Sequence, residues 1–212
     1  MNSPIPPHSE YSQVARSSKL DRTAEPFLPT PDQILGPFYP LNSSANGTED
    51  LAETPGRAGR ASGELIQVSG KVLTRNERPI PGARIEVWQA NAAGRYRHPS
   101  DATSSRLDPN FDGFAVLRTD DEGRYGFRTV KPGGYATPHG DTRPPHIHFL
   151  VDFGTTRLIT QMYFAGEPGN LSDRWLQAAP NRNLLVVHLK NSTSGKKLFS
   201  KTAIFNIVLQ ID

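Results

Sequence analysis

Two histidines separated by one residue form the strongest local signal for chemistry in this sequence. On a β-strand, alternate side chains point to the same face, so His146 and His148 would lie side by side. Two imidazoles on one face can bind a single metal ion, although the same spacing also suits two half-buried strand histidines. The preceding Arg-Pro-Pro at residues 143–145 favours an extended approach to that strand, because proline restricts its own backbone and the residue before it.

A metal at this histidine pair would need further ligands, and the chain has no cysteine to supply them. This excludes a thiolate metal site, a disulfide framework and a thiol nucleophile, and it leaves carboxylate and phenolate oxygens as donors. Asp152 follows His148 by four residues and has the same strand parity, which would suit a facial triad. Tyr96 and Tyr135 lie in two long, turn-rich segments and compete for the same role. Spacing alone does not choose among these three residues.

Strands are the elements that must position these residues, because the composition is unfavourable to helices. The 212 residues include 18 glycines and 19 prolines, and both residue types interrupt helices. Short segments of alternating polarity between turn residues predict an all-β fold, an antiparallel β-sandwich core of about eight strands. The strands are expected at residues 65–74, 83–90, 114–119, 125–130, 146–151, 158–164, 184–189 and 203–209, and a short helix at residues 173–178 with Ser172 as its N-cap.

Two long loops and an N-terminal arm complete the predicted organisation. Residues 91–113 and 131–145 are longer than hairpin loops, and loops of this length in a compact domain are usually functional or mobile. Residues 1–35 are polar and rich in proline, which indicates an extended arm lying on the body or on a partner. We expect residues 36–212 to form the folded domain.

Charge and hydropathy narrow the function classes. The net charge is only +3 and is scattered along the chain, which argues against nucleic-acid binding. No apolar run approaches the ~18 residues of a membrane span, and residues 1–11 lack the apolar core of a signal peptide. Together with the missing cysteines, these features fit a cytoplasmic protein.

Six motifs occur in an order and with a spacing that together resemble one enzyme family. They are Gly36–Pro40 (GPFYP), Glu86–His98 (EVWQANAAGRYRH), Leu107–Phe111 (LDPNF), Thr119–Pro132 (TDDEGRYGFRTVKP), Arg143–Phe149 (RPPHIHF) and Leu158–Gly166 (LITQMYFAG). The sequence resembles the intradiol ring-cleavage dioxygenases, and within them the protocatechuate branch. The resemblance implies a non-haem ferric enzyme that opens the ring of a catechol with dioxygen to a cis,cis-muconate, in aromatic compound catabolism.

The resemblance also implies the ligands that spacing left open. The four iron ligands of the family are two tyrosines and two histidines, which fall on Tyr96, Tyr135, His146 and His148. Phenolate is a hard anionic donor that suits ferric iron, a hard Lewis acid. In this family the second tyrosine, here Tyr135, leaves the iron when the substrate binds and takes one of its protons.

Further roles follow from the same resemblance. Arg143 would place a positive charge beside the substrate ring, and Gln161 would orient that arginine or the ring. Trp88 would line the substrate pocket, and Tyr11 in the arm would reach it. Thr137 stands where the protocatechuate branch has a tryptophan, so the loop after Tyr135 is expected to shape a different pocket.

The substrate and the assembly stay open at this point. Protocatechuate, catechol, hydroxyquinol and other substituted catechols are all candidates. A homo-oligomer is expected, with an alpha-type partner subunit as the alternative, because protocatechuate enzymes of the family pair two kinds of chain.

Two other readings of the sequence compete with the dioxygenase. A non-catalytic, prealbumin-like β-sandwich module would account for residues 68–135, but it would not need the RPPHIHF motif or a second loop tyrosine. A cupin-type metalloenzyme would pair His146 with Asp152 and a third histidine, for which His188 is the candidate.

Overall fold

A β-sandwich forms the body of the protein, as the sequence predicts. The computed structural model describes residues 27–41, 49–137, 140–192 and 199–212. The strands are β1 (Leu65–Leu73), β2 (Arg84–Trp88), β3 (Phe114–Arg118), β4 (Arg124–Val130), β5 (Tyr135–Ala136), β6 (Thr142–Arg143), β7 (His146–Phe153), β8 (Thr156–Phe164), β9 (Val186–Val187), β10 (Lys190–Asn191), β11 (Lys201–Ile204) and β12 (Ile207–Val208). The helix α1 spans Arg174–Ala178, and turns of 3-10 helix span Pro168–Leu171 and Arg182–Leu185.

The strands make two sheets of five and a small hairpin. The first sheet has the order β10-β11-β1-β12, with β4 also paired to β1, and the second has the order β3-β2-β7-β8-β9. The predicted antiparallel pairing holds for β1 with β4 and for β2, β3, β7 and β8. By contrast, β11 and β12 run parallel to β1, and β9 runs parallel to β8. β5 and β6 form the separate hairpin.

The core between the two sheets explains which way the β7 side chains point. Ile147, Phe149 and Val151 belong to the main buried cluster, together with residues from both sheets. Because side chains alternate along a strand, His146 and His148 point to the opposite face of the second sheet. The alternation that fills the core therefore places the two histidines outside it.

The N-terminal segment covers that outer face, and we call residues 27–41 the strap. Thr30 donates its backbone N–H to the Val208 carbonyl at 3.0 Å, and Gln33 donates to the Ile159 carbonyl at 2.7 Å. The strap thus spans from the first sheet to the second, and the part of the predicted arm that the structure describes lies on the body. Tyr11 falls outside the described residues.

The C-terminal strands differ from the prediction in length. The strand expected at residues 184–189 is reduced to β9, because the chain before it coils into 3-10 helix. The strand expected at residues 203–209 is split into β11 and β12. Between them the backbone passes so close to Gly70 that a Cβ there would lie 1.9 Å from the Phe205 carbonyl oxygen.

The short helix is where it was predicted, but its cap is one residue later. Asp173, not Ser172, is the N-cap, and its carboxylate accepts the Leu176 backbone N–H at 2.8 Å. Aspartate satisfies a free N–H of the first turn as serine would, so the sequence allowed either residue. Within the described parts of the chain, no helix has the length and apolar character needed to cross a bilayer.

Candidate active site

Two buried imidazoles meet on the outer face of the second sheet. His146 and His148 are each 2% exposed, and their Nε2 atoms lie 3.2 Å apart. Nδ1 of His146 lies 2.7 Å from the Pro144 carbonyl, so this nitrogen carries the proton and Nε2 keeps its lone pair. Burial lowers the pKa of both rings well below the ordinary value, and the Arg143 charge lowers it further. Both rings are therefore neutral, the form that binds metal ions.

Packing rather than hydrogen bonding holds the second ring. Trp88 is the cross-strand partner of His148, and the two rings stack with centroids 4.7 Å apart and an 11° angle between planes. On the strap, Gly36 has φ of +77°, and a Cβ there would lie 3.2 Å from Cε1 of His148. Trp88 and Gly36 thus fix the orientation of a ring whose Nδ1 has no hydrogen-bond partner among the described residues.

The first tyrosine is held by the loop at residues 91–113. Asp101 accepts the Tyr96 backbone N–H at 2.7 Å, and its other carboxylate oxygen accepts the Thr103 N–H at 2.9 Å. Asn91 starts the loop, and its side-chain oxygen accepts the N–H groups of residues 93 and 95, both at 2.9 Å. These two buried polar side chains shape the turn from which Tyr96 projects.

The second tyrosine is brought close by glycines. Tyr135 opens the β5–β6 hairpin, and its loop contacts the Tyr96 loop where Gly133 donates its N–H to the Asn91 carbonyl at 2.9 Å. A Cβ on Gly94 would lie 2.1 Å from the Gly134 carbonyl oxygen, and φ at Gly94 is +78°. The two loops can approach this closely only because both present glycine at the contact.

These loops bring the two tyrosines to the two histidines. The ring centroids of Tyr96 and Tyr135 are 5.3 Å apart, and those of Tyr135 and His146 are 5.6 Å apart. The Tyr96 and His148 centroids are 6.3 Å apart. From the strap, Phe38 packs on both tyrosines, at 4.6 Å from Tyr96 and 5.8 Å from Tyr135. Four rings of two residue types therefore surround one buried point.

The donor set fits a hard metal ion. The Tyr96 hydroxyl is buried and has no hydrogen-bond partner among the described residues, so it lacks the partner that a buried hydroxyl normally has. Burial raises the pKa of both hydroxyls, and for Tyr135 the nearby Arg143 charge counteracts this effect. A trivalent cation would stabilise the ionised phenolates, and two phenolate oxygens with two imidazole nitrogens suit ferric iron.

The competing ligands lie elsewhere. Asp152 is at the far end of β7, about 13 Å along the strand from His148, and it accepts hydrogen bonds from Arg157 at 2.6 and 3.0 Å. His188 is exposed and follows β9. Among the residues that the structure describes, no three His, Cys, Asp or Glu side chains form a metal site.

Arg143 is a charged group that acts on all four rings. It faces Tyr135 across the β5–β6 hairpin and is 2% exposed. Its Nη2 donates to Gln161 Oε1 at 2.9 Å, so the predicted pairing of these two residues is present in the structure. The Gln161 amide is itself oriented by donating to the Ile34 carbonyl of the strap at 2.8 Å.

Three partners of Arg143 were not predicted. Asp173 accepts from Nε at 2.8 Å, Tyr163 accepts from Nη2 at 2.7 Å, and the Trp175 ring lies 4.3 Å from the guanidinium carbon. The sequence contains one signal for Asp173, an N-cap residue type before a helical segment, but nothing local connects it to an arginine 30 residues earlier. The loop residues Asn91 and Asp101 were missed for the same reason.

The remaining predicted pocket residues differ in exposure. Trp88 is 1% exposed and is covered by the His148 and Tyr39 rings. Thr137 is half-buried, and its Oγ1 is buried without a hydrogen-bond partner among the described residues. Its backbone N–H donates to the Asp141 carbonyl at 2.7 Å, so Thr137 closes the β5–β6 hairpin next to Tyr135.

Comparison with known proteins identifies the family of the chain. Residues 34–211 match a family model described as a dioxygenase. The protocatechuate 3,4-dioxygenase beta chain of Burkholderia cepacia is 39% identical over 185 residues, which cover 82% of this chain and 78% of that protein. Catechol 1,2-dioxygenase 2 of Acinetobacter lwoffii is 32% identical over 154 residues, which cover 66% of this chain and 52% of that protein.

Solved structures agree as well. The dioxygenase domain of a dioxygenase and carbohydrate-binding protein fusion from Streptomyces sp. SirexAA-E superposes with a TM-score of 0.66 and 27% identity. The superposition covers 87% of this chain and 99% of that one. The resemblance found in the sequence motifs is thus confirmed, and the chain belongs to the intradiol ring-cleavage dioxygenase family.

Proposed function

We propose that residues 36–212 form a catalytic domain that holds one ferric ion and cleaves a catechol with dioxygen to a cis,cis-muconate. The ligands are Tyr96, Tyr135, His146 and His148. The observation that carries the proposal is the meeting of two neutral imidazoles, with Nε2 atoms 3.2 Å apart, and a buried tyrosine hydroxyl without a hydrogen-bond partner among the described residues.

A bound ferric ion would supply Lewis acidity to the catechol oxygens and make the ring electron-rich towards dioxygen. The chain's own residues then divide the remaining tasks. Tyr135 is the ligand that takes a catechol proton on its Oη, since it lies on the short hairpin beside Arg143 rather than in the Asp101-held loop. Phe38 and Trp88 close the site against water by packing on the tyrosines and on His148.

Arg143 stabilises negative charge on the substrate ring. Its guanidinium is buried, so its charge acts in a medium of low dielectric, where it is far stronger than in water. Gln161 holds Nη2 of this arginine, and a strap carbonyl holds Gln161. The charge is therefore in place before the substrate binds, which is the preorganisation that electrostatic catalysis requires.

The substrate is proposed to be a catechol, and a ring substituent, where the substrate has one, would fit beside Thr137. The candidates are protocatechuate, catechol, hydroxyquinol and related substituted catechols. Threonine at this position leaves more room next to Tyr135 than a large aromatic side chain would, so we expect tolerance of substituents on that side of the ring. Trp88 and Tyr11 stay proposed contacts of the substrate.

We further propose that the protein works in the cytoplasm as a homo-oligomer. Leu171 is 84% exposed on the 3-10 turn that follows β8, and Leu41 is 72% exposed at the end of the strap. Light scattering on the purified chain tests the assembly, and a stable monomer that gains activity on adding a second type of chain would contradict it.

Colour and oxygen uptake test the function together. The iron-loaded protein should be burgundy-red, because tyrosinate-to-ferric charge transfer absorbs visible light, and it should consume dioxygen with at least one of the candidate catechols. Tyr135→Phe and His148→Ala should each bleach or shift the band. Arg143→Ala should keep the colour and lose turnover by about 100-fold or more.

Three results would contradict the proposed function. A colourless protein with one bound iron would exclude the two-tyrosine site, and unchanged spectra of both ligand variants would show that the ligands are wrong. A red protein that consumes no dioxygen with any of the candidate catechols would show that the domain is a binding module rather than an enzyme.

A further inference from the structure

A buried cluster behind Arg143 has no role in the function as proposed so far. It consists of Tyr163 on β8 and, some ten residues later, Asp173 and Trp175 at the start of α1. Asp173 is 3% exposed and Tyr163 is fully buried. An ion pair buried to this degree rarely adds net stability, because removing both charges from water costs several kcal/mol. Its retention beside the site therefore calls for another explanation.

The contacts of the cluster fall on one edge of the guanidinium. Asp173 Oδ2 accepts from Nε at 2.8 Å, and Asp173 Oδ1 lies 3.3 Å from Nη2. The same Nη2 donates to the Tyr163 hydroxyl at 2.7 Å and to Gln161 at 2.9 Å. The Trp175 ring covers the flat face. None of these hydrogen bonds uses Nη1, and the guanidinium also acts on the Tyr135 hydroxyl, whose pKa is raised by burial and lowered in turn by the charge and the hydrogen bond of Arg143.

The Nη1 edge of the guanidinium lies on the same side of the β5–β6 hairpin as the candidate site. Tyr135 and Arg143 are directly opposite each other in the β5–β6 hairpin, and opposite side chains in an antiparallel pair lie on the same face. A guanidinium held by Nε and Nη2 has a fixed plane, so the direction of Nη1 is fixed too.

The aspartate is itself held in place. One oxygen of Asp173 accepts the Leu176 backbone N–H at 2.8 Å, which caps α1. The Gln177 N–H donates to the Asp173 carbonyl at 2.9 Å, so the helix and the carboxylate form a single unit. In addition, the Trp175 carbonyl lies 3.4 Å from the Gln33 side-chain nitrogen of the strap. The first turn of α1 therefore holds the Asp173 carboxylate, and through it the Arg143 guanidinium, in a fixed position.

We propose that Asp173 and Tyr163 are positioning residues that hold Arg143 by its Nε and Nη2 edge and direct Nη1 to the substrate. The inference rests on the proposed function, because it assigns these residues to the same site. Asp173 also supplies the counter-charge that lets the guanidinium stay buried and charged. Neither residue is assigned a contact with the substrate. The Asp173 carboxylate and the Tyr163 hydroxyl act through Arg143, whereas the Tyr163 ring also stacks on His146 at 5.6 Å and is retained in Tyr163→Phe.

The test compares Asp173→Asn and Tyr163→Phe in two backgrounds, the parent and Arg143→Ala. Asparagine is about as good an N-cap as aspartate, so Asp173→Asn removes the charge and keeps the cap. Asp50→Asn is the matched control, because Asp50 also binds an arginine side chain, Arg128, and accepts a backbone N–H, but it does so on the first sheet.

Two readings separate positioning from stability. One is kcat per bound iron with the best catechol of the panel, and the other is the affinity for catechol in anaerobic optical titration. In the parent background we expect Asp173→Asn to lower kcat per iron about 10- to 100-fold and to weaken catechol binding, with a smaller loss of about 3-fold for Tyr163→Phe. In the Arg143→Ala background neither variant should change the catechol affinity further, since both act through the missing arginine.

Each outcome decides one point. Wild-type kcat per iron in Asp173→Asn or in Tyr163→Phe, or an equal loss of affinity in the Arg143→Ala background, would overturn the inference. Should Asp173→Asn fail to fold, Tyr163→Phe decides, because it removes one hydroxyl and no charge. A colourless, inactive parent would instead contradict the proposed function, whereas a red and active parent with unaffected variants would contradict only the positioning role.

Discussion

The histidines and the tyrosines of the candidate site reach it by opposite structural routes. His146 and His148 lie on β7, a strand paired on both sides and central to the second sheet. Tyr96 lies in the loop at residues 91–113. Tyr135 lies on the two-residue strand β5, within the loop at residues 131–145. Half of the proposed ligand set is thus part of the sandwich, while the other half depends on how two loops meet.

This difference shows where the site is rigid and where it can change. The strand histidines are positioned by the same alternation of side chains that buries Phe149 in the core. No additional loop or contact is needed to place the two rings on one face. The tyrosines are fixed by Asn91, Asp101 and a glycine contact, none of which contributes to the core. The proton transfer proposed for Tyr135 needs a side chain that can move, and a loop allows such movement more readily than a central strand does.

The largest effect on iron binding is expected from removing one of the two histidines on β7. His148→Ala should lower the iron content by more than about 10-fold, because it removes a donor that no neighbouring side chain replaces. The thermal unfolding midpoint of the metal-free protein should also fall by a few degrees, because removing a buried ring that stacks on Trp88 leaves a cavity. His188→Ala is the control: this exposed histidine after β9 should leave the iron content unchanged. Full iron occupancy in His148→Ala would remove that histidine from the ligand set.

A second effect is expected from separating the loops. Gly94→Ala would place a Cβ 2.1 Å from the Gly134 carbonyl oxygen, so the two tyrosine loops must move apart. We expect loss of most of the visible band while the far-ultraviolet circular dichroism of the sandwich is retained.

Gly154→Ala controls for the backbone strain. Gly154 also has a positive φ, of +58°, but a Cβ there would meet nothing within 4 Å. Both substitutions therefore cost the roughly 1 kcal/mol of placing alanine in the left-handed region, and only Gly94→Ala adds the collision. Equal colour in the two variants would show that contact between the loops is not what positions the tyrosines.

The same contrast explains what could be read from the sequence. The HIH spacing predicted two histidines on one face, because strand alternation is a local property of the chain. The tyrosines were left undecided by spacing and were found only through the family motifs. Their approach depends on glycine contacts between residues 94 and 134, which no local pattern encodes.

The fold was predictable to a similar extent. Alternating segments and turns predicted the sandwich, and nine of the twelve described strands overlap an expected range, whereas β5, β6 and β10 were not expected. The parallel strands at the C-terminal end were not predicted, since parallel pairing needs partners that are distant in sequence. For the same reason the bond of Asp173 to Arg143 was not predicted, whereas its cap was missed because Ser172 beside it is an equally suitable cap residue.

The smallest of these effects is expected from loosening one loop without separating the two. Asp101→Asn leaves a single side-chain oxygen for the backbone N–H groups of Tyr96 and Thr103, and it turns an amide donor towards one of them. We expect about 3- to 10-fold weaker retention of iron against a chelator, with a shifted rather than absent visible band. Asp120→Asn is the control, because Asp120 also accepts two backbone N–H groups, but in the exposed turn between β3 and β4. If both variants retain iron equally well, the Tyr96 loop does not need its aspartate, and the ligand geometry must come from Asn91 and the glycine contact.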